Sequence, residues 1–362
     1  MTGMELTMRG TIFVMITLVL SALTLPMVFE EATAHSPTFP GENSSMAKAT
    51  HVDDPSKSWV IYTHLEETAV NYYAIDLKAG DRLYLNLIVP TNEKGTGFRP
   101  DLVITGPFTD KNGILPMSVE LPADSGWRVI DGVEPDTPTY EPFTPGTFLN
   151  LAVFDEHVPV DGRYYVVVFQ DPGLAAIHGD YGLAVGYVES FTIAEFILIP
   201  FSLLNVYQWE GQSLIQLFVP MVAVFLVGAF GMYLLRRESF TRMGLVHMFA
   251  LISGLLFMST AANTIIQMLI SISQAGLVAG VLVTLIFIAA PLLLGWMAIS
   301  MALSGKMPWT IQRRIGLFAI GLVGLVVWGG LMVGPIIAMV GSVMPVSRTL
   351  KREGRENRTV DR

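Results

Sequence analysis

The chain has 362 residues, 52% of them hydrophobic and only 15% charged; soluble domains carry about 25% charged residues, so an all-soluble protein of ordinary composition is excluded. Residues 35–190 hold 22 acidic against nine basic side chains, a balance of −13, whereas residues 191–362 hold six against twelve. The acidic and the greasy parts are therefore separate domains. The absence of cysteine excludes disulfides, thiolate zinc sites, iron–sulfur clusters and thiol nucleophiles.

Residues 1–34 read as a secretory signal peptide. Arg9 precedes an apolar run from Thr11 to Phe29, and Ala32-Thr33-Ala34 supplies a small-x-small cleavage site before His35. The competing reading is an uncleaved anchor helix, because the run approaches the length that spans a bilayer. Both put the following domain outside the cytoplasm.

Residues 35–190 form the predicted extracytoplasmic β-sandwich. Short runs rich in Val, Ile, Leu and Tyr recur at 59–64, 72–77, 82–89, 101–105, 148–154, 164–169 and 181–187, separated by turns such as Lys78-Ala79-Gly80-Asp81. Alternation is clean in Leu83-Tyr84-Leu85-Asn86-Leu87, and strands spaced this way without helices between them predict an all-β antiparallel sandwich. The segments 71–83, Pro100–Pro107, Gly162–Val168 and Gly179–Val185 together resemble the bacterial pre-peptidase C-terminal domain, a jelly-roll sandwich attached to secreted proteins. That resemblance covers residues 58–188 and implies a non-catalytic role in binding or secretion, with no active-site residue to transfer. A Pro-rich insertion between Lys111 and Glu141 departs from the pattern.

Residues 191–210 are apolar but interrupted by Glu195, Pro200, Asn205 and Gln208 and end in aromatics, which predicts an interfacial juxtamembrane helix. Residues 211–345 contain four apolar stretches, 212–235, 243–270, 276–304 and 315–343, each long enough to cross the hydrocarbon, so a transmembrane bundle of four helices is expected. Arg236, Arg237 and Arg242 lie in the first connection and Lys306, Arg313 and Arg314 in the third, whereas the second is uncharged; the basic loops belong on the cytoplasmic side. The flexible basic tail 346–362 then falls outside by parity, against the same rule, unless Pro335 breaks the last stretch into a re-entrant turn.

No acidic or basic residue lies inside the four stretches, which argues against a pump or proton-coupled transporter. Thr260, Asn263, Thr264, Gln267 and Ser271 share one helical face, suited to interhelical hydrogen bonds or, alternatively, to a small-solute channel lined by Asn263 and Gln267. The single His247 reads as a capped or snorkelling side chain. Gly276/Gly280 and Gly330/Gly334, each spaced by four, suit close helix packing or a homo-oligomer.

If processing leaves His35 first, its α-amino group and imidazole can chelate Cu(II). In Ala32-Thr33-Ala34-His35-Ser36 the chain resembles exported copper proteins with an N-terminal histidine brace, and His51 and His64 are candidate completing ligands. No hydrolase elbow, zincin, phosphate-loop or dinucleotide motif is present. The expected function is thus a non-enzymatic membrane protein without a bound cofactor, displaying a sandwich that binds a protein, an envelope polymer or a ligand. Its acidity disfavours nucleic acid. A copper-binding protein and a channel or transporter are the alternatives.

Overall fold

The computed structural model describes residues 35–66, 69–170, 178–238, 243–304 and 309–345. The expected signal peptide 1–34, the expected flexible tail 346–362, Arg242 and Lys306 lie outside the described residues. The described residues divide into two compact units, one built from 35–214 together with 267–281, the other from 215–266 and 282–345.

The first unit is a β-sandwich of two six-stranded sheets. One sheet takes β1 (Ser36–Thr38), β3 (Trp59–Leu65), β12 (Gly179–Val185), β5 (Arg82–Pro90), β10 (Gly146–His157) and β9 (Thr139–Glu141), in that order. The other takes β2 (Thr50–Val52), β4 (Val70–Leu77), β11 (Gly162–Phe169), β6 (Asp101–Gly106), β8 (Gly126–Ile130) and β7 (Lys111–Asn112). All seven predicted runs are strands. The pairing is not uniformly antiparallel, however: β1 joins β3, β2 joins β4 and β7 joins β8 in parallel. These are short edge pieces, which need no hairpin and cover backbone groups that an edge strand would leave open.

The alternation in β5 has its expected meaning, with Leu83, Leu85 and Leu87 fully buried between the sheets against Tyr73, Ile75, Val166, Val168 and Leu183. Inside that core the Tyr73 and Tyr181 hydroxyls meet at 2.7 Å, and Asn71 Nδ2 donates to Tyr181 Oη at 2.9 Å, so the buried polar atoms are paired across the sheets. The runs Leu102–Ile104 and Val166–Val168 are apolar at every position because the sheets are also covered outside. Val119, Leu115, Leu121 and Trp127 of the insertion pack on Tyr72, Val103 and Val167. On the other sheet Trp209 packs against Val60, Ile88 and Ala184.

Trp209 ends α1 (Ile193–Trp209), which a Thr192/Glu195 capping box starts. Its indole Nε1 donates to the Tyr181 carbonyl at 3.1 Å, and Glu195 pairs with the mostly buried Lys57 at 2.6 Å. Helix α1 is therefore packed onto the sandwich, while Ile193, Ile197, Leu198 and Phe201 stay exposed.

The helical unit has three helices long and apolar enough to cross a membrane, not four: α2 (Leu214–Leu235), α3 (Leu245–Ala275) and α4 (Val281–Leu303). The fourth stretch is two shorter helices, α5 (Ile311–Val326) and α6 (Val333–Val343). Trp328, Gly330, Leu331 and Met332 all have positive φ, which ends the right-handed helix. The break precedes Pro335, which sits in the first turn of α6, where its missing N–H costs nothing. The two helices fold back on each other: Gly321 lies against Met339 and Gly324 against Pro335. Arg314 near the start of α5 donates to the carbonyls of Ser342 and Met344 at the end of α6, at 2.9 and 2.6 Å.

Candidate functional site

The three histidines singled out for copper occupy separate places. His35 precedes β1; its Nδ1 meets Ser58 Oγ, and burial pushes its pKa down to about 4, so the ring is neutral. The nitrogen that an α-amino chelate would use first is thus already engaged. His51 lies on β2 in the opposite sheet, 3.7 Å from Asp53 and 3.8 Å from Asp76. His64 is near the far end of β3 from Ser58, roughly 20 Å along an extended strand, and bonds Asp180 at 2.8 Å. Among the described residues no group of three His, Asp or Glu side chains is arranged to hold a metal ion.

The intramembrane polar face is used within the chain. Thr260 Oγ1 accepts the Gly330 N–H at 2.5 Å, at the break between α5 and α6, and donates to the Leu256 carbonyl. Thr264 donates to the Thr260 carbonyl at 3.0 Å. Gln267 and Gln212 exchange two amide hydrogen bonds, at 2.8 and 2.9 Å. Asn263 Oδ1 is buried with no hydrogen-bond partner among the described residues. Neither glycine pair forms a packing stripe on one helix. Gly276, at φ +80°, follows the end of α3 and Gly280 precedes α4, against Tyr140 and Pro142; Gly330 sits in the break against Leu256, with Gly334 in the next helix. His247 Nε2 accepts from Trp309 Nε1 at 3.0 Å, the capped arrangement expected of it.

The most perturbed carboxyl groups outside the membrane helices are a pair the sequence reading missed, Glu141 at the end of β9 and Glu210 at the end of α1. Glu141 accepts the Phe143 N–H at 3.0 Å within the β9–β10 turn. Glu210 accepts the Thr147 N–H and lies beside Gly146, where any side chain would collide with its carboxylate. Burial pushes Glu141 up to about 7 and, with repulsion from Glu141 added, Glu210 up to about 8; the Phe143 and Thr147 N–H groups oppose the rise. Glu189 repels Glu141 further, and the buried Tyr62 and Tyr207 hydroxyls face both acids, held protonated above the ordinary tyrosine range. Nearby, Thr147 Oγ1 donates to Gln274 Oε1.

The insertion between the sheets' edges holds the other unusual surface. While Leu115, Val119 and Leu121 are turned inward, Ile114 is 91% and Met117 106% exposed.

No family model and no curated protein matches the chain. The pre-peptidase C-terminal resemblance therefore rests on the strand and turn residues alone, while the coarser reading, a two-sheet β-sandwich, stands. Among solved structures the chain is similar to the periplasmic inhibitors of g-type lysozyme PliG from Aeromonas hydrophila and PliG from Salmonella Typhimurium. Each is 15% identical and overlaps 42% of this chain and 98% of the inhibitor, with TM-scores of 0.24 and 0.20.

Proposed function

We propose that the chain is a multi-pass membrane protein that holds its sandwich outside the cytoplasm and engages a protein or envelope partner through the Lys111–Glu141 insertion, without catalysing a reaction. The observation that carries this reading is the outward presentation of Ile114 and Met117 by a segment whose other apolar residues are buried. Ile114 and Met117 stand three residues apart on one segment and are both held in water, which makes them the contact point of this reading. A pre-peptidase C-like role in binding agrees with it.

The orientation follows from charge. Arg236 and Arg237 after α2 and Arg313 and Arg314 at the start of α5 belong on the cytoplasmic side. In this orientation three spans followed by a hairpin that returns beside Arg314 bring the end of α6 to the cytoplasmic side, in keeping with the bases that follow it in the sequence.

The chain's lack of cysteine makes the test direct. Ile114→Cys is expected to react with a membrane-impermeant maleimide in intact cells, and Ser304→Cys only after permeabilisation. A photo-crosslinker at Met117 should capture a partner that one at Lys78 does not. Labelling of Ser304→Cys but not Ile114→Cys in intact cells would overturn the orientation; equal capture from both crosslinker positions would overturn the binding surface.

A further inference from the structure

Cross-strand register in the first sheet sets His64 of β3 directly opposite Asp180 of β12. His178 lies two residues before Asp180, and its ring centroid is 5.4 Å from that of His64. Two imidazoles held in adjacent equatorial positions of one tetragonal ion at about 2.0 Å have centroids about 4.5 Å apart, so a side-chain rotation closing the exposed rings by about 1 Å brings both onto one ion. Asp180 Oδ1 holds His64 Nδ1 at 2.8 Å, which fixes Nδ1 as the protonated nitrogen and leaves the Nε2 lone pair for a ligand. A carboxylate behind a ligating imidazole is the usual orienting partner at metal centres. Glu93 Oε1 accepts the Asp180 N–H at 3.3 Å and adds negative charge beside the pair. Both rings are solvent-accessible, which gives an ion a route in and leaves coordination positions for water.

We propose that His64 and His178 form a two-imidazole site for a borderline divalent transition-metal ion, with Asp180 as the positioning residue. Nitrogen donors favour Cu²⁺ over the hard ions Ca²⁺ and Mg²⁺, and Cu²⁺ stands at the top of the divalent affinity series. The site differs from a brace at His35 and requires no cleavage.

The test uses the full chain in detergent, purified without a polyhistidine tag and carrying His35→Gln so that N-terminal chelation contributes nothing. Calorimetric titration with Cu²⁺ should show one site, weakened at least about tenfold by His64→Asn or His178→Asn, also weakened by Asp180→Asn, and unchanged by His51→Asn. Electron paramagnetic resonance should show two equatorial nitrogens, reduced to one in either histidine variant. Unchanged affinity in both variants, an equal loss in His51→Asn, or a single-nitrogen spectrum in the parent would overturn the assignment. His51, His64, His178 and Asp180 are at least partly exposed, every variant is compared within the His35→Gln background, and unchanged circular dichroism confirms that a loss is not unfolding.

Discussion

The buried acids Glu141 and Glu210 make the stability of the sandwich unit depend on pH in a direction opposite to that of ordinary paired carboxylates. Below about pH 4.5 each is protonated whether the chain is folded or not, and neither costs anything. As the pH rises to about 7 for Glu141 and about 8 for Glu210, the unfolded chain ionises while the folded one resists, so stability is lost across that window. For Glu210 the full interval is worth at most about 5 kcal/mol. Its side chain keeps some solvent contact, and screening reduces this to about 1–3 kcal/mol. Glu210→Gln keeps the shape and one acceptor for the Thr147 N–H but cannot ionise. It should match the parent near pH 5 and melt about 2–12 °C higher at pH 8.5, at about 2–4 °C per kcal/mol for a unit of this size. The assay is intrinsic fluorescence melting of the detergent-solubilised chain from pH 5 to 8.5. Parent and variant curves that stay parallel over that range would refute the burial and repulsion argument.

Lys57→Met removes one partner of a largely buried ion pair and leaves Glu195 charged against the sandwich; a loss of about 1–3 kcal/mol is expected, read as a lower melting temperature and faster proteolysis near α1. In the parent, Lys57 holds Glu195 below the usual carboxylate range, so this contribution is present at neutral pH and fades as the pH falls below about 4.5, a dependence that Lys57→Met should abolish. Gly324→Leu would force a side chain into Phe257 and Pro335 and separate α5 from α6; about 1–3 kcal/mol should be lost, measured as detergent melting, whereas the outward Leu322→Ala should cost little.

The parts of this fold that were legible in the sequence are those with a repeating period. Leu83, Leu85 and Leu87 alternate, and the membrane stretches are long and apolar, so both were visible one residue at a time. The edge pieces at Ser36–Thr38 and Thr50–Val52 are three residues each, too short to show a period. The break in the last apolar stretch was harder to read because Trp328, Leu331 and Met332 adopt positive φ without being glycine; only Gly329-Gly330 gave a local signal. Glu141 and Glu210 meet because β9 and the end of α1 are brought together in the folded chain, and neither flanking sequence announces the other. The same holds for His64 and His178, which become neighbours only through the register of β3 with β12. The grouping of His35, His51 and His64 started from a chelating chain terminus at His35, and where His51 and His64 stand depends on sheet pairing that spacing along the chain does not carry.

The arm from Ser36 to Val52 adds its first strand to β3 in one sheet and its second to β4 in the other. In a domain without cysteine, that single stretch of peptide is a non-covalent clasp, binding both halves of the sandwich along one flank. Loosening it anywhere would unzip two borders at once, and the bare edges of β3 and β4 would then be free to recruit strands from neighbouring molecules.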